Sequence, residues 1–150
     1  MGFMDKLKNA VNSITGGGAK VTITTDKPSR EGPFKVKVKA VVADQELKIN
    51  RVYVKLSGYE TVTVHNVKSS NDTFARDISE SNNTFEQEFN IAAEQTLNAK
   101  QEYEWEAQVE FPKNSPPTYK GHSASHELRI LAGLDTKGND PDSGWIVLAV

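Results

Sequence analysis

The chain has 150 residues, 18 lysines and arginines against 20 aspartates and glutamates, and no cysteine. That length suits one domain able to bury roughly 68–70% of its unfolded surface, and the missing thiols exclude disulfides, thiol catalysis and cysteine-bound metal. The formal charge of −2 is spread without a basic block, so nucleic acid is not an expected partner.

In residues 2–15, Phe3, Met4, Leu7, Ala10, Val11 and Ile14 recur at a three-to-four spacing, which predicts an amphipathic helix with Lys6 and Lys8 off the apolar stripe. Gly16, Gly17 and Gly18 end it and form a flexible tether, so the expected organisation is residues 1–18 as helix and tether and 19–150 as a single domain. From Ala19 onward the pattern is all-β, with strands expected near Lys20–Asp26, Phe34–Ala43, Lys48–Tyr59, Glu60–Val67, Thr84–Ala92, Tyr103–Phe111, Ser125–Leu134 and Gly144–Val150. Eight strands with short turns and one-sided alternation suit a two-sheet antiparallel β-sandwich of immunoglobulin-like type. The polar run Ser69–Asn83 is expected to be a mobile loop.

Parity names the core: Val21, Ile23, Phe34, Val36, Val38, Ala40, Val52, Val54, Leu56, Phe85, Phe89, Ile91, Tyr103, Trp105, Val109, Phe111, Leu128, Ile130 and Ala132. Trp105 is expected at its centre. No run approaches the eighteen or so apolar residues of a membrane span, and the N-terminus lacks a secretory pattern, so a cytoplasmic protein is expected.

The stretch Tyr103–Leu134 is the most distinctive. Tyr103, Trp105, Ala107, Val109 and Phe111 alternate with Glu102, Glu104, Glu106, Gln108 and Glu110, and a second alternating strand runs through His126, Leu128, Ile130, Ala132 and Leu134. Between them Pro112, Pro116 and Pro117 forbid ladder pairing. A lead-in at Leu97, Ala99, Tyr103 and Trp105, then Phe111-Pro112, Pro116-Pro117-Thr118-Tyr119-Lys120-Gly121 and a strand ending Leu134-Asp135, resembles the second half of an arrestin N-terminal domain. Lys20 onward, with a turn at Arg30-Glu31-Gly32 and a strand ending Val54-Lys55-Leu56-Ser57-Gly58, is similar to the opening of the same family. Among arrestin-like proteins, the chain resembles the short prokaryotic Spo0M-like (sporulation-control) members, which also start with a short basic amphipathic segment before the first strand. The resemblance implies an adaptor or scaffold without catalysis or cofactor, and it marks Pro112, Pro116, Pro117, Tyr119 and Gly121 as the family loop. Family members generally carry two sandwiches where this chain has room for one, which puts recognition in a two-domain cleft in doubt.

No nucleophile elbow, phosphate-cradling loop or His-Glu-x-x-His helix occurs, and His65, His122 and His126 are too scattered in sequence for a catalytic constellation. The acidic run Asp135–Gly144 is either a calcium loop without EF-hand spacing or plain turn chemistry. Lys35, Lys37 and Lys39 form one charge stripe and Glu102, Glu104, Glu106 and Glu110 another; they make either a solvated face of cross-strand pairs or a charged docking surface, with edge-strand lysines also discouraging sheet-to-sheet association. The N-terminal helix has three candidate fates: packing on the sandwich, weak peripheral membrane contact through Phe3, Met4, Leu7, Val11 and Ile14 with Lys6 and Lys8 at anionic headgroups, or packing on a second copy or a partner's groove. The expected function is a non-enzymatic adaptor that binds a partner protein through a sheet face or edge strand. The alternative is a carbohydrate- or lipid-binding sandwich using Tyr53, Tyr59, Tyr119 and Trp145, for which a coplanar exposed row of rings is required.

Overall fold

The computed structural model describes residues 17–150, and the helix expected over 2–15, with its candidate contact residues Phe3, Met4, Lys6, Leu7, Lys8, Val11 and Ile14, lies outside them. The described chain is all-β. Its strands are β1 (Ala19–Asp26), β2 (Phe34–Val42), β3 (Leu47–Ile49), β4 (Arg51–Val67), β5 (Arg76–Ala92), β6 (Gln95–Leu97), β7 (Glu102–Val109), β8 (Tyr119–Lys120), β9 (Ala124–Asp135) and β10 (Ile146–Leu148). One sheet has the order β1-β2-β7, the other β10-β9-β4-β5 with the short β8 also on β9, and β3 pairs β6 in a small separate ladder. All pairings are antiparallel.

Strand β2 shows why the sequence folds this way. Phe34, Val36, Val38, Ala40 and Val42 are buried, and the intervening Lys35, Lys37, Lys39 and Val41 are exposed, the period of two that one packed face demands. Opposite them, β4 and β9 contribute Val52, Val54, Leu56, Leu128, Ile130, Ala132 and Leu134, all fully buried. The sheets close over Phe111, whose ring lies 5.6 Å from Phe34 and, edge-on, 6.0 Å from Phe85.

Five expected core residues differ from the rest. Phe85, Phe89 and Ile91 on β5 and Tyr103 and Trp105 on β7 are only partly buried, because β5 and β7 are the outermost strands of their sheets. Trp105 is therefore not the central residue; it stacks on Tyr103 at 6.1 Å along an edge, and Phe111 takes the interior. The lysine stripe also sits differently from expectation, since β2 is the middle strand of its sheet. It faces the acidic stripe of β7, with Lys37 3.0 Å from Glu104 and 3.5 Å from Glu106, Lys35 3.8 Å from Glu106, and Lys39 against Glu102. Glu110 lies past the end of β7.

The largest departure concerns β4 and β5. From Arg51 onward the two strands expected over Lys48–Tyr59 and Glu60–Val67 are one, with Lys48 and Ile49 in β3, and β5 begins at Arg76, so of the mobile loop expected over Ser69–Asn83 only residues 69–75 lie in the connection. That connection is a hydrogen-bonded turn, with the Ser69 amide donating to Asp72 Oδ2 at 3.0 Å and the Asp72 amide to Ser69 O at 3.1 Å. A bulge where Gly58 gives way to Tyr59 lets the long strand continue. Gly58 is required there: a Cβ would fall 2.2 Å from Thr84 Oγ1, 2.6 Å from the Phe85 ring and 2.9 Å from His126 Nε2. Each of β4 and β5 has 17 residues, whereas β1, β2 and β7 have 8, 9 and 8, so the hairpin runs past the sheet that covers its base.

Candidate functional site

The overhanging hairpin is amphipathic. On one face Thr61 bonds Ser81 at 3.0 Å, Thr63 bonds Ser79 at 2.8 Å and His65 Nδ1 reaches Asp77 Oδ2 at 3.2 Å, a polar ladder across β4 and β5. On the other face stand Val62 and Val64, with Ile78 directly opposite Val64. This is the side that, further down the strand, buries Val52, Val54 and Leu56. Beyond the reach of the second sheet the same alternation leaves Val64 56% exposed, with Phe74 in the turn 81% exposed. Val62, Val64 and Ile78 are thus apolar side chains left without a covering layer, beside Glu60 and Glu80 on the same face, and exposed apolar groups of this kind are associated with interaction surfaces.

The proline loop borders this patch. Its chain is fastened at separate points: the Ser115 amide donates to Pro112 O at 3.0 Å, Arg30 Nη2 donates to Ser115 O at 3.3 Å, and Thr118 Oγ1 donates to Val150 O. Buried His126 on β9 adds one more, with Nδ1–H donating to Pro117 O at 3.1 Å, and is itself held to β5 by Nε2 accepting from Thr84 Oγ1 at 2.8 Å. Pro116 and Pro117 fit because neither position needs a ladder donor. The loop then enters β8, where Tyr119 opposes His126 and stands 52% exposed on the same side as Val62 and Val64. The Gly121 amide donates to Ala124 O at 2.8 Å and closes the turn to β9. Of the family-loop residues Pro112, Pro116, Pro117, Tyr119 and Gly121, Tyr119 is the one that offers the hairpin face a large exposed side chain.

The other candidate residues have structural partners. The Asp135–Gly144 run is knit as a turn: Asp140 accepts from Tyr53 Oη and from the Thr136 amide, both at 3.0 Å, and Asp142 Oδ1 accepts from the Gly144 amide at 2.8 Å. Burial, then the Asp140 carboxylate, raises the Tyr53 phenol well above its ordinary value. Among the described residues, no three His, Asp or Glu side chains converge as a metal-binding group. The aromatic row required for sugar stacking is not formed. Tyr53 is buried, and Tyr59 and Trp145 flank the Arg129 guanidinium at 4.0 and 5.0 Å. A shallow depression of about 680 Å³ beside Gly17 and Leu47 holds one carboxylate, Glu94, and no histidine. His65 and His122, far apart in the chain, have ring centroids 4.5 Å apart where the β8–β9 turn meets the hairpin, a meeting the sequence did not suggest.

These observations define a fold, the antiparallel two-sheet β-sandwich. Within it the chain is similar in structure to Spo0M, the sporulation control protein of Bacillus subtilis, with a TM-score of 0.61 over 89% of this chain at 14% identity. The chain spans about half of that structure, covering 49% of its length. No family model and no curated protein sequence matches the chain. Among the described residues no helix is long and apolar enough to cross a membrane.

Proposed function

We propose that the chain is a non-enzymatic arrestin-like adaptor that binds a partner protein through the overhanging face of the β4–β5 hairpin. The observation that carries this reading is the uncovered apolar row of Val62, Val64 and Ile78 with Tyr119 at its border and Phe74 at its tip. The occupant is a protein surface with an apolar centre and a polar rim, the usual anatomy of such contacts. An anionic membrane is a poorer match, because Lys68 and Arg76 near the tip are balanced by Asp72 and Asp77. The likeness to Spo0M, a sporulation control protein, supports a regulatory role rather than catalysis. In this reading the protein works in the cytoplasm, and the N-terminal segment Phe3–Ile14 sets its location or assembly.

The test is a photo-crosslinking amino acid placed at Val64 or, as a control on the opposite sheet, at Lys39, in living cells. The reading expects a discrete protein adduct from position 64 that is absent from position 39 and disappears in Ile78→Glu with an unchanged melting temperature. Equal adducts from both positions, or lipid adducts alone, contradict it.

A further inference from the structure

We propose that His65, holding a proton on each ring nitrogen, clamps the Gly121–Ser123 turn to the β4–β5 hairpin, and that the clamp opens when one of those protons leaves. The argument is geometric. Nδ1 lies 3.2 Å from Asp77 Oδ2 on β5, and Nε2 lies 3.1 Å from the backbone carbonyl oxygen of His122 in the β8–β9 turn. A carboxylate and a carbonyl both only accept, so both contacts are hydrogen bonds only when the imidazole donates twice. The neutral ring carries one proton and must forfeit one contact.

The surroundings fit that state. Asp77 is held in place from its other oxygen, which accepts from the Asn66 amide at 3.1 Å. Asn66 itself has φ of 56°, a left-handed conformation that Asn tolerates and that turns its amide toward the carboxylate. The titratable groups facing His65 are Asp77 from β5 and the His122 ring from the turn, tilted by 31° to the His65 ring. The His122 carbonyl, then Asp77, shift the His65 ring toward its protonated form, while Asp77 is held below the usual carboxylate range by the Asn66 amide and by His65. The sign follows: with the folded value raised above 6.5, the clamp is fully present below the unfolded value and is lost as pH rises through the folded one. The turn is otherwise tied to the hairpin by the Thr63 amide donating to Ser123 O at 2.7 Å. Opening the clamp loosens the junction between Val64 and Tyr119; that effect on docking rests on the adaptor reading, whereas the clamp itself does not.

The experiment is nuclear magnetic resonance on the full chain, reading the His65 ring nitrogens and the exchange protection of the Gly121 and Thr63 amides. Expected are two protonated ring nitrogens at about pH 6 and a fall in protection of about tenfold by about pH 8.5. In His65→Gln the pH dependence disappears, and in Asp77→Asn its midpoint falls. His122→Gln keeps the dependence, because the acceptor there is backbone. A singly protonated His65 ring at about pH 6, dependence that persists in His65→Gln, or dependence abolished only by His122→Gln overturns the clamp.

Discussion

The lower and upper halves of β4 make the most instructive comparison in the molecule. Val52, Val54 and Leu56 are fully buried, whereas Val62 and Val64, on the same face of the same strand, are 40% and 56% exposed. Both halves put valines on this face, although Glu60 and Asn66 flank the upper pair; what also changes is the presence of a second sheet and, past Val62, the loss of β9 as a neighbour. Burial is a property of the stacked layers, and a strand can carry the pattern for it beyond the point where a covering layer exists.

The sharpest way to break the lower half is Phe111→Ala, expected to cost about 3–5 kcal/mol by opening a cavity between the sheets, measured by chemical denaturation. Gly58→Ala should follow, at about 1–3 kcal/mol or somewhat more, because the added methyl meets Thr84, Phe85 and His126 at the hinge between the halves; the Thr84–His126 bond should be lost with it. Trp105→Ala is expected to cost about half as much as Phe111→Ala, since its edge position leaves it partly solvated in the folded state. In the upper half, Val64→Thr and Ile78→Thr should each change stability by no more than about 0.5 kcal/mol. If those two melt like core variants, the hairpin face is covered and the contrast fails.

Acid should weaken the hairpin and the sheet beside it together. Glu88, beside the Arg51 guanidinium, and Asp77, bonded by the Asn66 amide and His65, both lie below their ordinary values. Their contribution is present above the unfolded carboxylate values and is lost as pH falls through the depressed folded ones. Far-ultraviolet circular dichroism during acid titration, with Arg51→Met as the comparison, reads this directly: the variant should lose the Glu88 share of the dependence.

Strands with one dry and one wet face were legible from sequence. The alternations of β2, β7 and β9 gave their positions to within a few residues, and the proline loop with its flanking strands pointed to the arrestin-like fold that the likeness to Spo0M supports. The first half of β5 was not legible, for the same reason the hairpin is of interest. Residues 76–84 are exposed on both faces, so Ser, Asn and Asp there carry no period and resemble a loop. Trp105 was misplaced because size suggests depth, whereas strand order, which parity does not reveal, puts β7 at an edge. The three-residue strands β3 and β6 are too short to show a pattern. The His65–His122 meeting joins residues 57 apart, and only the pairing of β4 with β9 brings them together.

Hydrogen exchange resolved along β4 in the isolated protein tests the comparison most directly. Amides from Val52 to Gly58 lie between two paired strands beneath a packed sheet, whereas those from His65 to Val67 belong to a two-stranded extension, a marginal structure in water. The account predicts a sharp drop in protection just past Val62. Uniform protection from Val52 to Val67 would mean that the upper hairpin is already covered, and the proposed docking face would not exist.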